Sequence, residues 1–545
     1  MTAEKKKPEQ TNSIVIEDAP SAKIADFETA ITAAGTGKFQ YFLVLAIIPA
    51  SWASSVDTAN MSMILASAEG DLGLSLFNKG LLNAIVYMGM VLSGFIWGYL
   101  ADVKGRKKVI LYGYLADGVC NVLAGFSQNF GTLVFFKFLS GMLVSGPHAT
   151  LMAYCTEFYG DKGRAKIPIL VGFSVQFGCV VNAVMAWLVV PQPWSIVLWD
   201  GAFVYNSWRI FLSLCGVPTM IGVLCLCFFP ESPKFLMTQN RNEEALEVFK
   251  RIYSTNTGLP KDSYPIGALG DVNLNNVTAE RSLESQGDAK SSFKDGIRQM
   301  TPILSKPYPA RILLLVTVQF GGMLCLNTLR LWQPQLFATI ENFKNLDTNV
   351  TDPTFCEILD ISTSLDAART VAVAAAPAAA AAATDATTAP SISENSVSES
   401  MYTDTIIVSS SSSVFILLAS VLVNFLEHKY LLLVSYGCAL VCLISLIWAT
   451  NTLVILVLTC MFVGLLSETF NVVVGATVLL FPTSLRAMAV SMEMIVGRIG
   501  SMIGNLLFPV LLAHGCVAPI INLACFTLLC IILTCFLPST SKHAV

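Results

Sequence analysis

Twelve apolar runs, each long enough to cross a bilayer as a helix, limit what this chain can fold into. A hydrocarbon core about 30 Å thick takes about 20 helical residues, and a backbone amide left unpaired in it costs several kcal/mol, so the crossings must be helices that bond their own amides. The runs lie near 39–65, 79–100, 109–128, 131–157, 167–190 and 208–229, then 311–337, 406–426, 430–450, 453–480, 487–513 and 517–537. Two sets of six are separated by a polar stretch, 231–310, with eleven lysines and arginines from Lys234 to Arg311. The expected fold is an all-α membrane protein of twelve transmembrane helices. It has bundles at 39–230 and 311–537, an amino-terminal tail at 1–38 and a carboxy-terminal tail at 538–545.

Composition agrees. With 54% hydrophobic and 13% charged residues and a mean hydropathy of +0.65, the chain is neither a water-soluble enzyme nor a disordered protein. A net charge of −4 suits no nucleic acid, and no CxxC, HExxH or P-loop string is present, so no metal or cofactor is expected. Most of the fifteen cysteines sit in apolar runs and act as small hydrophobes. Cys356 and Cys516 are placed to oxidise, and a disulfide between them would tie the long external loop to the last helical hairpin.

Basic residues orient the chain. Lys104, Arg106, Lys107, Lys108, Lys162, Arg164, Lys166, Lys429 and Arg486 all fall on the side of the amino terminus, whereas the opposite loops carry only Lys79, Arg209, Lys344 and Arg369. The positive-inside rule then places both termini and the central loop in the cytosol. The first 38 residues, with Lys5, Lys6 and Lys7, hold no apolar segment before a cleavage site, so no signal peptide is expected. The loop 338–405 is expected outside, with a disordered low-complexity insert, VAVAAAPAAAAAAT, at 371–384. Asn349-Val-Thr is an external glycosylation sequon, whereas the triplet at Asn276 faces the cytosol.

GYLADVKGRKK (98–108), between the second and third spans, resembles the cytosolic loop motif of the major facilitator superfamily. Gly98 would let two helices approach, Gly105 would permit the tight turn, and Asp102 with Arg106 would form a charge-assisted pair closing the cytosolic side. PESPKFL (230–236) is similar to the motif after the sixth span of sugar porters, organic ion transporters and the synaptic vesicle glycoprotein 2 group, with Lys234 in place of arginine. FPTSLR (481–486), GRIGS (497–501), DFETAITAAGTGKFQY (26–41) and NTLRLWQPQLF (327–337) resemble the same groups. Glu157 and Arg164 after span 4 correspond to Pro482 through Arg486 after span 10, as parallel repeats require. The resemblance implies two pseudo-symmetric six-helix bundles and a cytosolic gate of Asp102, Arg106, Glu157, Arg164 and Glu231, with Arg486 in the second half. NFLEHKYLL (424–432) has lost the core of the loop motif, so that gate should rest on the first half.

Ionisable residues inside spans are costly, from about 2.5 kcal/mol each at the centre, and therefore informative. At 1.5 Å per residue, Asp57 in span 1 and Lys137 in span 4 lie about 12 and 9 Å below the outer surface and can meet. Lys137-x-x-x-Gly141 resembles the arginine motif that pairs with a span 1 aspartate in proton-coupled sugar porters, which implies a coupling role; a static ion pair fixing helix register is the alternative. Glu468 in span 10 and Arg498 in span 11 share the midplane at about 22 Å, suited to a substrate-facing site or a buried pair. Asp117 in span 3 shows no partner at its depth. Arg330, on the outer part of span 7, stands beside Trp332: it either lies as a cation over that aromatic face at a binding cleft or snorkels to the interface. His148 follows Pro147 in span 4 and is either a packing residue or a proton relay.

The leading functional expectation is a transporter working by alternating access, with a small organic solute held by spans 1, 4, 7 and 10 and moved alone or with protons. A chain that works as a monomer in the plasma membrane or a vesicle suffices. A second reading is a protein of this fold that binds or regulates without transporting. The substitution of lysine for arginine at 137 and 234 and the eroded loop at 424–432 suit that drift.

Overall fold

The computed structural model describes residues 24–164, 167–270, 308–344, 353–365 and 399–538. Twelve long helices follow one another: α1 (Lys38–Leu72), α2 (Leu76–Lys104), α3 (Arg106–Gly125), α4 (Phe130–Thr156), α5 (Ile167–Val189), α6 (Ser207–Cys227), α7 (Pro309–Lys344), α8 (Glu399–Leu422), α9 (His428–Ser445), α10 (Thr452–Leu480), α11 (Thr483–Leu512) and α12 (Val517–Cys535). Eleven of them contain a stretch long and apolar enough to cross a membrane. The twelfth, α3, begins Arg106-Lys107-Lys108 and carries Asp117 and Asn121. It is tolerated because it packs against α4 and α6, which hide those polar groups from lipid.

The packing is duplicated. In the first half α1 packs on α5 and α6, α2 on α4, and α3 on α4 and α6. Adding six to each number gives the second half: α7 on α11 and α12, α8 on α10, and α9 on α10 and α12. The bundles meet through α2 with α11 and α5 with α8, two pairs that the same operation exchanges, and through α1 with α7. Local detail repeats too. Arg164 donates to the carbonyl of Tyr159 at 3.2 Å and Arg486 to that of Phe481 at 2.9 Å, each closing the turn after the fourth helix of its half.

Glycine sets the tightest crossings. A Cβ on Gly141 of α4 would strike the Val86 carbonyl of α2, and one on Gly89 of α2 would strike the Phe138 carbonyl of α4, so backbone lies on backbone there. Gly98, the expected close-approach glycine, is not part of this: among the described residues nothing lies within 4 Å of where its Cβ would be. The helices have diverged by that level.

Among the described residues, five side-chain hydrogen bonds join the two bundles: Asn83 to Leu331, Arg330 to Tyr87 and to Cys179, Tyr402 to Met63, and Arg498 to Ser145. All lie at the midplane or toward the side opposite the amino terminus. On that far side the outer ends of α2 and α11 also touch, with the Gly80 Cβ position 2.7 Å from the Asn505 carbonyl. The bundles are closed there, while toward the other side no described atom lies within 4 Å of the Gly98 Cβ position.

The described part of the polar segment after α6, residues 231–270, is folded. Helices Pro233–Thr238 and Asn242–Thr257 fold back on the short helix Phe27–Ala34, and Ile24–Ala25 pairs with Ala268–Leu269. Asn256 fastens this patch to the start of α1, accepting from the Phe39 amide at 2.9 Å and donating to the Gly35 carbonyl at 2.9 Å. On the far side a hairpin, Ser195–Leu198 with Phe203–Asn206, joins α5 to α6.

The loop expected from 338 is shorter than its sequence implies, because α7 runs on to Lys344 and α8 starts at Glu399. Residues 355–365 are helical, and a disulfide joins Cys356 to Cys516 with Cα atoms 5.2 Å apart. Asn349, Asn276 and the alanine-rich insert lie outside the described residues.

Candidate functional site

α1, α3 and α4 each bring polar side chains to one place inside the first bundle. Asp57 comes from α1, Asp117 and Asn121 from successive turns of α3, and Lys137 and Ser140 from α4. Asp117, Lys137 and Ser140 are 0% exposed and Asp57 and Asn121 1%, so each must be satisfied by the others. Lys137 Nζ donates to Asn121 Oδ1 at 2.7 Å and lies 3.5 Å from Asp57 Oδ1. Asn121 Nδ2 donates to Asp57 Oδ1 at 2.7 Å, so the asparagine bridges the ion pair. Ser140 Oγ lies 2.8 Å from Asp57 Oδ2 and 2.9 Å from Asp117 Oδ1.

This corrects the expectation for Asp117, which has partners after all: Ser140, and Asn121 at 3.4 Å. Depth counting along single helices misses a hydroxyl that reaches sideways from a neighbour. Ser140 and Asn121 were likewise invisible as site residues, since an uncharged polar residue in an apolar run carries little signal.

Glu468 and Arg498 share a level but are not partners. Glu468 accepts from the Ser435 hydroxyl of α9, while Arg498 Nη1 turns across the bundle interface to Ser145 of α4 at 2.8 Å. Arg330 also departs from expectation. Its guanidinium donates to the Tyr87 hydroxyl at 3.4 Å and to Cys179 Sγ at 3.6 Å, whereas Trp332 is buried against Phe508 with ring centroids 4.9 Å apart. Adjacent residues of a helix point about 100° apart and two apart about 200°, so Arg330 and Trp332 face opposite ways. His148 is half-buried, with its Nδ1 enclosed and unpartnered among the described residues. Glu493 of α11, an acid the sequence reasoning passed over, is 0% exposed and accepts from Thr477. An acidic residue inside an apolar run was the signal that could have found it.

At the amino-terminal end, Gly105 (φ 100°, ψ 154°) turns the chain between α2 and α3. Arg106 stacks on Phe235 with its Cζ 5.4 Å from the ring centroid, lies 3.7 Å from Glu157 and donates to the Ala101 carbonyl at 2.9 Å. Glu231 accepts from the Lys107 amide at 2.9 Å. Burial pushes the Glu157 carboxyl above its usual range, against the Ser232 hydroxyl and Arg106, which pull it down. Arg164 does not join this group. It pairs with Glu28 at 2.6 Å and Asp161 at 3.2 Å, because α4 ends before it and the following turn aims it at the lead-in helix. The Asp102 side chain lies outside what the structure describes. Gly105→Ala is expected to lose roughly 1–3 kcal/mol in thermal unfolding, because the backbone there is in a region kept by glycine. A Cβ would also sit 2.5 Å from Glu231 Oε2. Glu231→Ala in the same background should relieve only the second part.

A family model for sugar (and other) transporters matches residues 29–341, more than half of the chain. Synaptic vesicle glycoprotein 2A of Rattus norvegicus is 31% identical over 278 residues, covering 50% of this chain and 37% of that protein. The human 2A protein is 33% identical over the same length and coverage, and rat glycoprotein 2B is 28% identical over 331 residues, covering 58% and 48%. The chain therefore spans less than half the length of these relatives. Among solved structures, a D-xylose-proton symporter overlays with a TM-score of 0.61 at 15% identity, covering 93% of this chain and 99% of that one. The inward-open xylose transporter of E. coli overlays at 0.62 and 14%, covering 92% and 97%. The overlays carry the fold, the family match carries membership, and the apolar helices make the chain a multi-pass membrane protein: it belongs to the sugar (and other) transporter family of the major facilitator superfamily.

Proposed function

We propose that the chain is a secondary transporter that moves a small organic solute by alternating access, coupled to protons. The buried cluster of Asp57, Asp117, Asn121, Lys137 and Ser140 carries this reading. Ser140 has one hydroxyl hydrogen but sits at hydrogen-bond distance from two carboxyl groups. It donates to one, and the other contact is attractive only where that carboxyl carries a proton and donates in return. Two carboxyl groups and one ammonium then hold one proton at charge balance. Tyr114 and Cys120 of α3 and Cys215 of α6 face the same cluster, and Tyr87 of α2 is turned instead to Arg330. Lys137 is its single cation among the described residues.

A proton held between helices that move can link a pH gradient to the conformational cycle. When Lys137 withdraws from Asp57, the carboxylate left behind takes up the proton, because a bare charge in a dry bundle costs several kcal/mol. The five bonds between the bundles among the described residues lie at the midplane or beyond it on the far side, which suits a rocking motion that parts the other side. The amino terminus and the segment after α6 are assigned to the cytosol by the basic loops, in the plasma membrane or a vesicle.

Reconstituted into liposomes, the protein is expected to concentrate a labelled solute from a mixed panel when the pH gradient points inward. Asp57→Asn, Asp117→Asn and Ser140→Ala should abolish gradient-driven accumulation while leaving exchange at equal pH. A panel with no uptake at all would refute transport. Accumulation retained in all three variants would refute the proton assignment.

A further inference from the structure

Two guanidinium groups of the second bundle reach the interface at the midplane with no carboxylate to meet them among the described residues. Arg330 has only a phenol and a thiol as partners, and its Nε is buried without any among the described residues. Arg498 has the Ser145 hydroxyl. Neither lies over an aromatic ring among the described residues, unlike Arg106, Arg164 and Arg209. The buried acids of the spans are engaged elsewhere: Asp57 and Asp117 around Lys137, Glu468 with Ser435, and Glu493 with Thr477. Tyr87 is bonded to Arg330 and within electrostatic reach of Arg498, and the Thr58 hydroxyl lies alongside it.

Both arginines are half-buried. A guanidinium stays ionised in proteins, and the water it does lose is replaced here by neutral hydroxyl and thiol partners that do not match its charge. An anion matches it, because a carboxylate accepts paired N–H groups of a guanidinium in plane. We propose that the site between the bundles binds a small organic anion, its carboxylate or equivalent oxyanion held by Arg330 and Arg498 with Tyr87, Ser145 and Thr58 around it. Thr58 follows Asp57 in α1, so a solute drawn against Thr58 and Tyr87 bears directly on the helix that holds the proton cluster. The arginines' present contacts cross the interface to neutral groups, which an entering anion displaces at little cost.

The inference rests on the transporter reading for its physiological sense, but binding is measured without flux. The full chain in detergent is unfolded thermally with glucuronate against glucose and benzoate against benzamide, with sodium chloride matching ionic strength. Both anions are expected to raise the midpoint in a saturable way and the neutral partners not to. Arg330→Gln and Arg498→Gln should each weaken that effect at least about tenfold, the loss of one charge-assisted bond. Arg498→Lys, which keeps the charge, should retain part of it. Without anion the glutamine variants should unfold no earlier than the parent, since an uncompensated charge has been removed. Equal effects of acid and neutral partner overturn the proposal, as do undiminished effects in both glutamine variants, or glutamine variants that no longer fold. Selective stabilisation with no uptake of any solute leaves the anion site standing and removes the transporter reading; uptake of neutral solutes alone does the reverse.

Discussion

Lys137→Met is expected to destabilise the folded protein by about 3–5 kcal/mol, the cost of leaving a buried charge without its partner. Asp57 and Asn121 are 1% exposed, so no water replaces the ammonium where it stands. The loss should belong to the pair and not to the volume of the side chain. Asp57→Asn added to Lys137→Met removes the orphaned charge, and the double variant should recover most of the stability, with a coupling energy well above the roughly 0.5 kcal/mol of independent sites. Thermal or denaturant unfolding in detergent reads all three. A single variant as stable as the parent, or a double variant no better than the single, would show that Asp57 is neutralised by other means.

The second large effect is at Gly141. Replacement by leucine places a side chain where the Val86 carbonyl of α2 already lies, and a backbone cannot step aside as a flexible side chain can. Overpacking costs typically 1–3 kcal/mol, and a clash with backbone belongs at or above the upper end. The consequence reaches the site, because Ser140 is the neighbouring residue and Lys137 is one turn earlier in α4. Gly141→Leu is therefore expected both to lower the unfolding midpoint and to abolish gradient-driven uptake. Gly98→Ala is the control: with nothing within 4 Å of the new methyl, it should be neutral or stabilising by up to about 1 kcal/mol, the helix-propensity gain over glycine. If Gly98→Ala proved the more harmful, the assignment of the close crossing to Gly89 and Gly141 would be wrong.

The contrast between these glycines shows how far a sequence motif carries. Gly98 stands in the recognisable string and Gly89 does not, yet the helices touch at Gly89, because close approach depends on where two axes cross. The same limit applies to charge. Asp57 and Lys137 were legible as partners because both stand out in apolar runs and lie at similar depth. Asp117 looked isolated because its partner is a serine. Glu468 and Arg498 looked able to pair because depth was the only coordinate available. Depth is one of three, and the other two are the direction in which a side chain leaves its helix and which helix lies in that direction.

The apolar runs, by themselves, determined that the chain crosses the bilayer as helices, how many times, and that its polar stretch after the sixth crossing stays outside the hydrocarbon. That follows because an unpaired amide in hydrocarbon is too costly for any other spanning structure. Which buried charges are neutralised and which stand open at the bundle interface was decided by tertiary packing alone. Neutralisation falls off over a few ångströms, and sequence fixes position along a helix but not rotation about it or the neighbour that rotation meets.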